Sequence, residues 1–239
     1  MNRIILKYFQ FFACKAEDAL LVLTHRKTAR RRTLTNLKGD TMKTITTTIV
    51  YGFPEISKES QTNALDSLRD INVNHEWWEF VYDDVCMVAE LLGIDIDKIY
   101  FSGFSSQGDG ACFAGTYSYR KGWKRLLKQS VGGEDLSELL AIGEALQDAQ
   151  KTNFYDLVAT TSQTGYYMHS GCMQVSVDSE SYRGFSREAH DIIVDTLRAF
   201  ADWIYSKLEK EYRYLTSDSA VIESIGANEC QFTKEGRLF

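Results

Sequence analysis

An apolar stripe in the last quarter of the chain constrains the fold more than any other feature of the sequence. Apolar residues recur there at three- and four-residue steps: Ala189, Ile193, Leu197, Phe200, Ile204, Leu208 and Tyr212. This spacing predicts one amphipathic helix from about Ser186 to Leu215, with the stripe buried. At 1.5 Å per residue the helix would be about 45 Å long, which is the width of a whole domain.

Strand-like segments occur in pairs, which favours hairpins over parallel units. The first pair, 94–104 and 111–119, is joined by Ser105–Gly110. The second pair lies within 154–178 and is expected to turn near Thr164 and Gly165. In its return strand, alternating residues are predicted to share one face: Tyr167, His169, Gly171, Met173, Val175 and Val177. A further strand, rich in Thr, Ile and Val, is predicted over residues 43–53.

Several shorter helices are predicted from the same kind of periodicity. They cover Ser57–Asp70, His75–Leu92 before the stop residue Gly93, 122–131, 134–149 and 217–227. Hairpins produce antiparallel pairing, and helices must cover the apolar face of the resulting sheet. The predicted fold class is therefore α+β, with a mixed or mainly antiparallel sheet, several helices and one long C-terminal helix.

The first 41 residues differ in charge from the rest of the chain. They contain nine Lys/Arg and three Asp/Glu, so residues 42–239 carry 18 basic and 30 acidic residues, a net charge of −12. Codons for the segment Lys38–Met42 naturally spell a bacterial ribosome-binding site before a start codon. We therefore expect residues 1–41 to be an over-extended, disordered or non-native N-terminus, and residues 42–239 to be a single α+β domain. The alternative is an authentic basic N-terminal helix.

The charge and the cysteine pattern limit the function classes. An acidic body repels nucleic-acid phosphates and attracts basic protein surfaces. There is no apolar run of membrane length. Five scattered cysteines without a Cys-x-x-Cys motif indicate reduced thiols in a cytoplasm. His169 and Cys172 have the nearest approach to metal-ligand spacing, but no second pair accompanies them, so no metal and no cofactor is predicted.

The segment FSGFSSQGDGACFAG, residues 101–115, contains the most unusual composition of the chain. It lacks the Lys-Ser/Thr and the following helix of a phosphate-binding loop, and it lacks the Gly-x-Ser-x-Gly order of a nucleophile elbow. No catalytic residue is therefore assigned. A tight turn, a recognition loop and a catalytic loop remain as alternatives.

As a tight turn, the segment would use Gly108 and Gly110 at positive φ, with hydrogen bonds from Gln107 and Asp109 to the bend. A tight turn does not strictly require Gln107 or Asp109. They are therefore candidate binding residues, together with Ser105.

Aromatic residues supply the other candidate binding positions. Trp77 and Trp78 cannot both point inward from one helix, and we expect one to be core and the other partly exposed. Trp77 is a candidate for a protein-contact patch. Tyr167 and His169 are candidates for an aromatic wall over a pocket. Ordinary core packing is the alternative for all of these residues.

Three strings together resemble a known family: FSGFSSQGDGACFAG, KTNFYDLVATTSQTGYYMHS and WIYSKLEKEYRYLTSDSAVIESIGANECQFTKEGRLF. The family consists of small phage and prophage proteins described as "antitoxin of toxin–antitoxin stability system". Similar members carry a Phe-Ser-Gly-Phe-x-Ser-Gln-Gly-Asp-Gly-Ala core, matched here by Phe101–Ala111. Members of the family also carry a tryptophan-bearing helix before this core, similar to His75–Val88 here. Near the end they carry a Leu-Thr-Ser-Asp segment, similar to Leu215–Asp218. The resemblance runs from about Tyr51 to Phe239 and implies neutralisation of a toxin or host effector by binding.

Two function hypotheses follow. The first is a non-enzymatic, phage-encoded protein in the cytoplasm of a bacterial host, which docks on a host or phage-encoded toxin, defence or regulatory protein. It would bind neither membrane nor nucleic acid directly. The second is a nucleotide-binding or signal-molecule-binding protein, or a minor enzyme. It predicts that Ser105–Asp109 and Tyr166–His169 meet across a pocket of several hundred Å3.

Overall fold

The computed structural model of the chain describes residues 48–239. Three predictions therefore fall outside the described residues. They concern residues 1–41, the start at Met42 and the first five residues of the predicted strand 43–53. The segment Tyr51–Phe239 forms one compact unit.

Six α-helices and six β-strands are present in the described part of the chain. In chain order they are β1 (Tyr51–Gly52), α1 (Lys58–Ser67), α2 (Glu79–Leu92), β2 (Ile94–Ser102), β3 (Gly110–Ser118), α3 (Trp123–Ser130), α4 (Glu134–Lys151), β4 (Leu157–Gln163), β5 (Met173–Ser179), α5 (Arg187–Leu215), α6 (Asp218–Ala227) and β6 (Gln231–Phe232). Two short 3-10 helices, Phe53–Glu55 and Ser170–Cys172, complete the regular structure of residues 48–239.

The main sheet has the order β2-β3-β4-β5, and every pairing in it is antiparallel. Both predicted hairpins are therefore confirmed, as is the α+β fold class. On its β3 side, the strand β4 pairs only with Gly115–Ser118, which is the second half of β3. The 3-10 helix Ser170–Cys172 also contacts β3, and a Cβ at Gly110, the first residue of β3, would lie 2.5 Å from the Cα of His169 just before this helix. This short helix therefore brings the loop before β5 close to the start of β3.

The long helix predicted from the apolar stripe is confirmed as α5. Its N-cap is Ser186, whose Oγ accepts a hydrogen bond from the backbone N–H of Ala189 at 3.1 Å. The stripe residues from Ala189 to Leu208 are buried, and Tyr212 is half-buried. The helix contacts both β3 and α4. One side of α5 thus covers the sheet and a neighbouring helix, which is why its opposite side can be charged.

Three boundaries differ from the predictions. Within residues 48–53, only Tyr51–Gly52 is strand, and it pairs with β6 in a separate two-stranded sheet. The helix predicted from residue 75 begins at Glu79, because the preceding residues form a turn in which the Trp77 N–H donates to the His75 carbonyl.

The return strand of the second hairpin is also shorter than predicted. It begins at Met173, so Tyr167, His169 and Gly171 lie outside it. Since β4 reaches only half of β3, the loop between β4 and β5 folds against the open half instead of extending the ladder. The inward face of β5 itself follows the prediction, with Met173 and Val177 buried.

A small second core lies between α1, α6 and β6. Its buried residues are Ile56, Ala64, Leu65, Val221, Ile225 and Phe232. The cap residue predicted for α1 is confirmed, since the Ser57 Oγ accepts from the Ser60 N–H at 3.2 Å. No helix among residues 48–239 is long and apolar enough to cross a membrane.

One buried amide connects α4 to the sheet. The side chain of Gln150 is fully buried; its Nε2 donates to the Leu157 carbonyl at 2.6 Å and its Oε1 accepts from the Leu157 N–H at 3.1 Å. Leu157 is the first residue of β4 and is itself buried. The amide of Gln150 therefore pairs with the backbone as a neighbouring strand would.

A second close contact in the core depends on a missing side chain. A Cβ atom at Gly143 of α4 would lie 2.2 Å from Cζ3 of Trp123. The Trp123 indole is buried and its Nε1 donates to the Gln147 Oε1 at 3.0 Å. Glycine at position 143 thus allows the helix backbone to lie directly on the indole face.

Candidate functional site

The glycine-rich loop between β2 and β3 is closed by Asp109. Its Oδ2 accepts hydrogen bonds from the backbone N–H groups of Ser105 at 2.8 Å and Ser106 at 2.7 Å. These bonds, the one from Ser106 first, hold the pKa of the Asp109 carboxyl below its usual range. The prediction that this residue hydrogen-bonds the bend is confirmed. Since the carboxylate stabilises the loop in its charged form, Asp109 is anionic at neutral pH.

The glycines of this loop serve a different purpose from the one predicted. Neither Gly108 nor Gly110 has a positive φ, so that prediction was wrong. A Cβ at Gly108 would lie 2.6 Å from the Tyr167 ring, and one at Gly110 would lie 2.5 Å from the Cα of His169. Glycine is required because the chain before β5 approaches this loop within contact distance.

Two of the other predicted site residues have few contacts. Gln107 is exposed and makes no side-chain hydrogen bond within the described part of the chain, so its predicted bond to the bend is wrong. Ser105 is exposed and contributes its backbone N–H to the loop. These two residues do not form a preorganised polar site.

The loop does meet the segment that holds Tyr167 and His169, but by direct contact. The Tyr167 and His169 rings are stacked with centroids 6.2 Å apart. His169 and Cys172 are three residues apart in the sequence, and the 3-10 turn between them brings their side chains together. The Cys172 Sγ lies 3.3 Å from the His169 Nε2. Over residues 48–239 no three His, Cys, Asp or Glu side chains form a cluster suited to a metal ion. This pair alone is not a metal site.

A pocket of about 390 Å3 lies beside the loop. It is lined by Trp77, Phe101 and Tyr212 and by five residues of the loop, namely Gly103, Phe104, Ser105, Ser106 and Asp109. We call it the aromatic pocket. Tyr167 and His169 do not line it, so the two segments of the small-ligand hypothesis do not face each other across this space.

The rings around the aromatic pocket contact one another closely. The Phe104 centroid lies 5.0 Å from that of Tyr212 and 5.4 Å from that of Tyr205, and the Trp77 centroid lies 5.8 Å from that of Tyr212. Trp77 is only 5% exposed, whereas Trp78 is half-buried. One tryptophan is therefore core and the other partly exposed, as predicted. The candidate contact residue Trp77 is the core one.

A second pocket of about 520 Å3 lies between α2 and the edge strand β2. Tyr82 and Cys86 of α2 line it, together with Trp78, the N-cap residue of this helix. Burial raises the pKa of Tyr82 to about 12, so its hydroxyl is protonated at neutral pH. The partly exposed tryptophan predicted from the sequence thus belongs to this pocket.

Sequence reasoning missed an exposed aromatic group at the other end of β3. Phe154 and Tyr182 are 77% and 98% exposed, and the Tyr155 ring contacts the Tyr119 ring in a tilted arrangement with centroids 4.4 Å apart. We call these four residues the aromatic end patch. Nothing in the sequence marks the group, because its members come from three loops that only the sheet brings together.

Three residues of the aromatic end patch have left-handed backbone conformations. The φ angles of Phe154, Tyr155 and Tyr182 are 58°, 61° and 57°. This region costs a bulky residue about 1–2 kcal/mol. Such outliers persist only where the surrounding structure holds them, and they are enriched at functional sites.

The loops of the aromatic end patch are held together by Asp156. Its carboxylate accepts hydrogen bonds from the hydroxyls of Ser179 and Ser181 and from the Ser181 N–H at 3.2 Å. These bonds, led by the one from Ser179, lower the pKa of Asp156. The Arg183 guanidinium lies over the Phe154 ring, 5.5 Å from its centroid. The loop backbones on either side of the exposed rings are thus connected by polar contacts.

We expect the Asp109 carboxyl to stabilise the fold in a pH-dependent manner. Its pKa is lower in the folded chain than in the unfolded chain, so its contribution is present above the unfolded pKa and is lost as pH falls through the folded one. The stability advantage of the wild type over Asp109→Asn should therefore shrink below about pH 4. Urea denaturation between pH 6 and pH 2.5 measures it. A difference that stays constant with pH would contradict the assignment.

Comparison with known proteins gives one match. A family model described as "Domain of unknown function (DUF8835)" matches residues 77–218, which is more than half of the chain. This region contains the aromatic pocket and the aromatic end patch. A search of curated proteins gave no match, and neither did a search of solved structures.

Proposed function

The chain belongs to the DUF8835 family of domains of unknown function, and we propose that it is a phage- or prophage-encoded accessory protein of the antitoxin type. It acts in the cytoplasm of a bacterial host by binding, without catalysis, to a toxin, defence or regulatory protein. The resemblance carried by Phe101–Ala111 and the two further strings supports the phage and antitoxin parts of the proposal.

The aromatic end patch is the observation that supports binding to a protein partner. Tyrosine and phenylalanine are costly to expose, and aromatic residues are enriched at the centres of protein interfaces. Here Phe154 and Tyr182 are exposed, and their backbones are held in an unfavourable conformation. Arg183, next to Tyr182, adds a residue type that is also enriched at such centres. An exposed aromatic group with a nearby arginine is suited to a protein partner.

The overall charge supports a partner with a basic surface. Residues 42–239 carry a net charge of −12. Complementary charge accelerates association and disfavours partners of the same sign. The proposed partner therefore presents an apolar hollow for the aromatic end patch, surrounded by lysine or arginine residues.

The proposal is tested with the double variant Phe154→Asn/Tyr182→Asn. Asparagine accepts left-handed φ better than most other residues, so the variant removes both rings without adding backbone strain. Tagged wild type and variant are expressed in the bacterial host, and proteins captured by each are identified and then re-bound in purified form. We expect the variant to bind the purified partner about tenfold more weakly.

The matched control is Tyr166→Asn. Tyr166 is 89% exposed, like the patch residues, but it lies outside the aromatic end patch. Its variant should bind the partner as the wild type does. If the double variant and the wild type capture the same proteins with equal affinity, the aromatic end patch is not the binding surface. A chain that captures no specific protein at all would contradict non-enzymatic binding itself.

A further inference from the structure

We propose that the aromatic pocket binds an organic cation of the quaternary ammonium or guanidinium type. This site is independent of the aromatic end patch and does not rest on the proposed function. The inference comes from the combination of aromatic walls, one fixed carboxylate and the absence of a neutralising partner for that carboxylate among the described residues.

The walls supply the first part of the recognition. Four aromatic residues, Trp77, Phe101, Phe104 and Tyr212, line a volume of about 390 Å3. Aromatic rings attract cations whose charge is spread over an apolar surface. Because the rings contact one another, their positions are fixed before a ligand arrives. A preformed aromatic site loses little entropy when it binds.

Asp109 supplies the charge. It is the only formally charged residue among those that line the aromatic pocket. Both of its backbone hydrogen bonds go to Oδ2, which fixes the carboxylate at the pocket edge. Asp109 forms no salt bridge with any residue of 48–239. Its negative charge is therefore available to a cationic ligand.

The surroundings of the pocket also favour a cation over an anion. Burial first, and then the negative charges of Glu209 and Asp109, raise the pKa of Tyr205, whose hydroxyl donates to the Gly103 carbonyl at 3.1 Å beside the pocket. Arg213 lies nearby and lowers the pKa of Tyr205, but its guanidinium pairs with Glu209 at 2.7 Å. A nucleotide phosphate placed here would face an uncompensated carboxylate, so the charge does not suit the nucleotide of the small-ligand hypothesis.

Choline and its uncharged isostere 3,3-dimethyl-1-butanol provide the direct test. Each is titrated into the full chain at constant ionic strength, and binding is followed by calorimetry and by tryptophan fluorescence. We expect saturable binding of choline that is about tenfold tighter than binding of the isostere. A second pair of probes is a glycine-flanked arginine peptide and the same peptide with citrulline.

The two probe pairs separate the sources of the cation. Tighter binding of choline indicates a free small molecule, and tighter binding of the arginine peptide indicates a side chain of a protein partner. Either result supports the proposal. If each cation binds no better than its uncharged counterpart, or if neither cation shows saturable binding, the proposal is wrong.

Variants then locate the site. Asp109→Asn keeps an oxygen that can accept from Ser105 and Ser106 but removes the charge, and it should weaken binding of the cation about fivefold. Phe104→Leu removes one wall, and its folding is checked by circular dichroism. The control Asp178→Asn removes the same charge from an exposed position of β5 and should leave binding unchanged. Equal effects of Asp109→Asn and Asp178→Asn would place the cation elsewhere.

Discussion

Replacing Gln150 with leucine is expected to lower the free energy of unfolding by about 3 kcal/mol. The substitution preserves most of the side-chain volume, but it leaves the N–H and carbonyl of Leu157 without their hydrogen-bond partner in a buried position. Each buried backbone group that loses its partner costs about 1–3 kcal/mol. Urea denaturation followed by circular dichroism measures the loss.

Two further variants show whether the hydrogen bonds are responsible. Gln174→Leu makes the same chemical change at an exposed position of β5 and should alter stability by less than about 0.5 kcal/mol. Gln150→Glu retains an acceptor for the Leu157 N–H, and its protonated form can also donate to the carbonyl. Its deficit relative to wild type should therefore decrease as pH falls. A small loss in Gln150→Leu would show that water or a rearranged backbone replaces the amide.

The second large effect is expected at Gly143, where alanine should destabilise the chain by about 2 kcal/mol. Alanine normally stabilises a helix by about 1 kcal/mol relative to glycine. Here the new Cβ would lie 2.2 Å from the Trp123 ring, and the hydrogen bond to Gln147 restrains that ring. Relief of such a clash moves buried groups and typically costs 1–3 kcal/mol.

The control for this prediction is another helical glycine. A Cβ at Gly226 in α6 would meet nothing within 4 Å, so Gly226→Ala should stabilise the chain by up to about 1 kcal/mol. Thermal and urea denaturation should therefore show that Gly143→Ala lowers the free energy of unfolding and that Gly226→Ala raises it. If both substitutions stabilise the chain, the Trp123 indole moves aside at little cost.

The elements with strong periodicity could be predicted from the sequence. The stripe from Ala189 to Leu208 identified α5, because one buried face over about five turns leaves few alternatives. The two hairpins followed from alternating residues and glycine-containing connections. These signals are local, and tertiary contacts in the fold agree with them.

The remaining errors have a common physical cause. The strand predicted to contain Tyr167 and His169 fails because β4 pairs with only half of β3, which is a long-range property. The glycines of the loop looked like turn residues, but Gly108 and Gly110 are needed for contact with a segment about 60 residues later. A single sequence does not contain that distance information.

The candidate site was predicted only in part. Asp109 was identified, and its role in the bend was assigned correctly. The aromatic pocket combines Trp77, which precedes α2, with residues of β2, the loop and α5, and the aromatic end patch combines three loops, so neither could be assembled without the fold. The left-handed backbones of Phe154 and Tyr182 carry no sequence signal at all, since glycine or asparagine is expected at such positions.

The strand β3 has the glycine loop before its first residue and Tyr119 of the aromatic end patch just after its last. Its nine residues span about 30 Å, so a macromolecule seated at one end leaves the entrance at the other end open to solvent. The proposed cation and the proposed protein partner would therefore contact separate parts of the molecule. Between the two ends the molecule is tightly packed, since Phe113 of β3 is fully buried against Phe200 of α5.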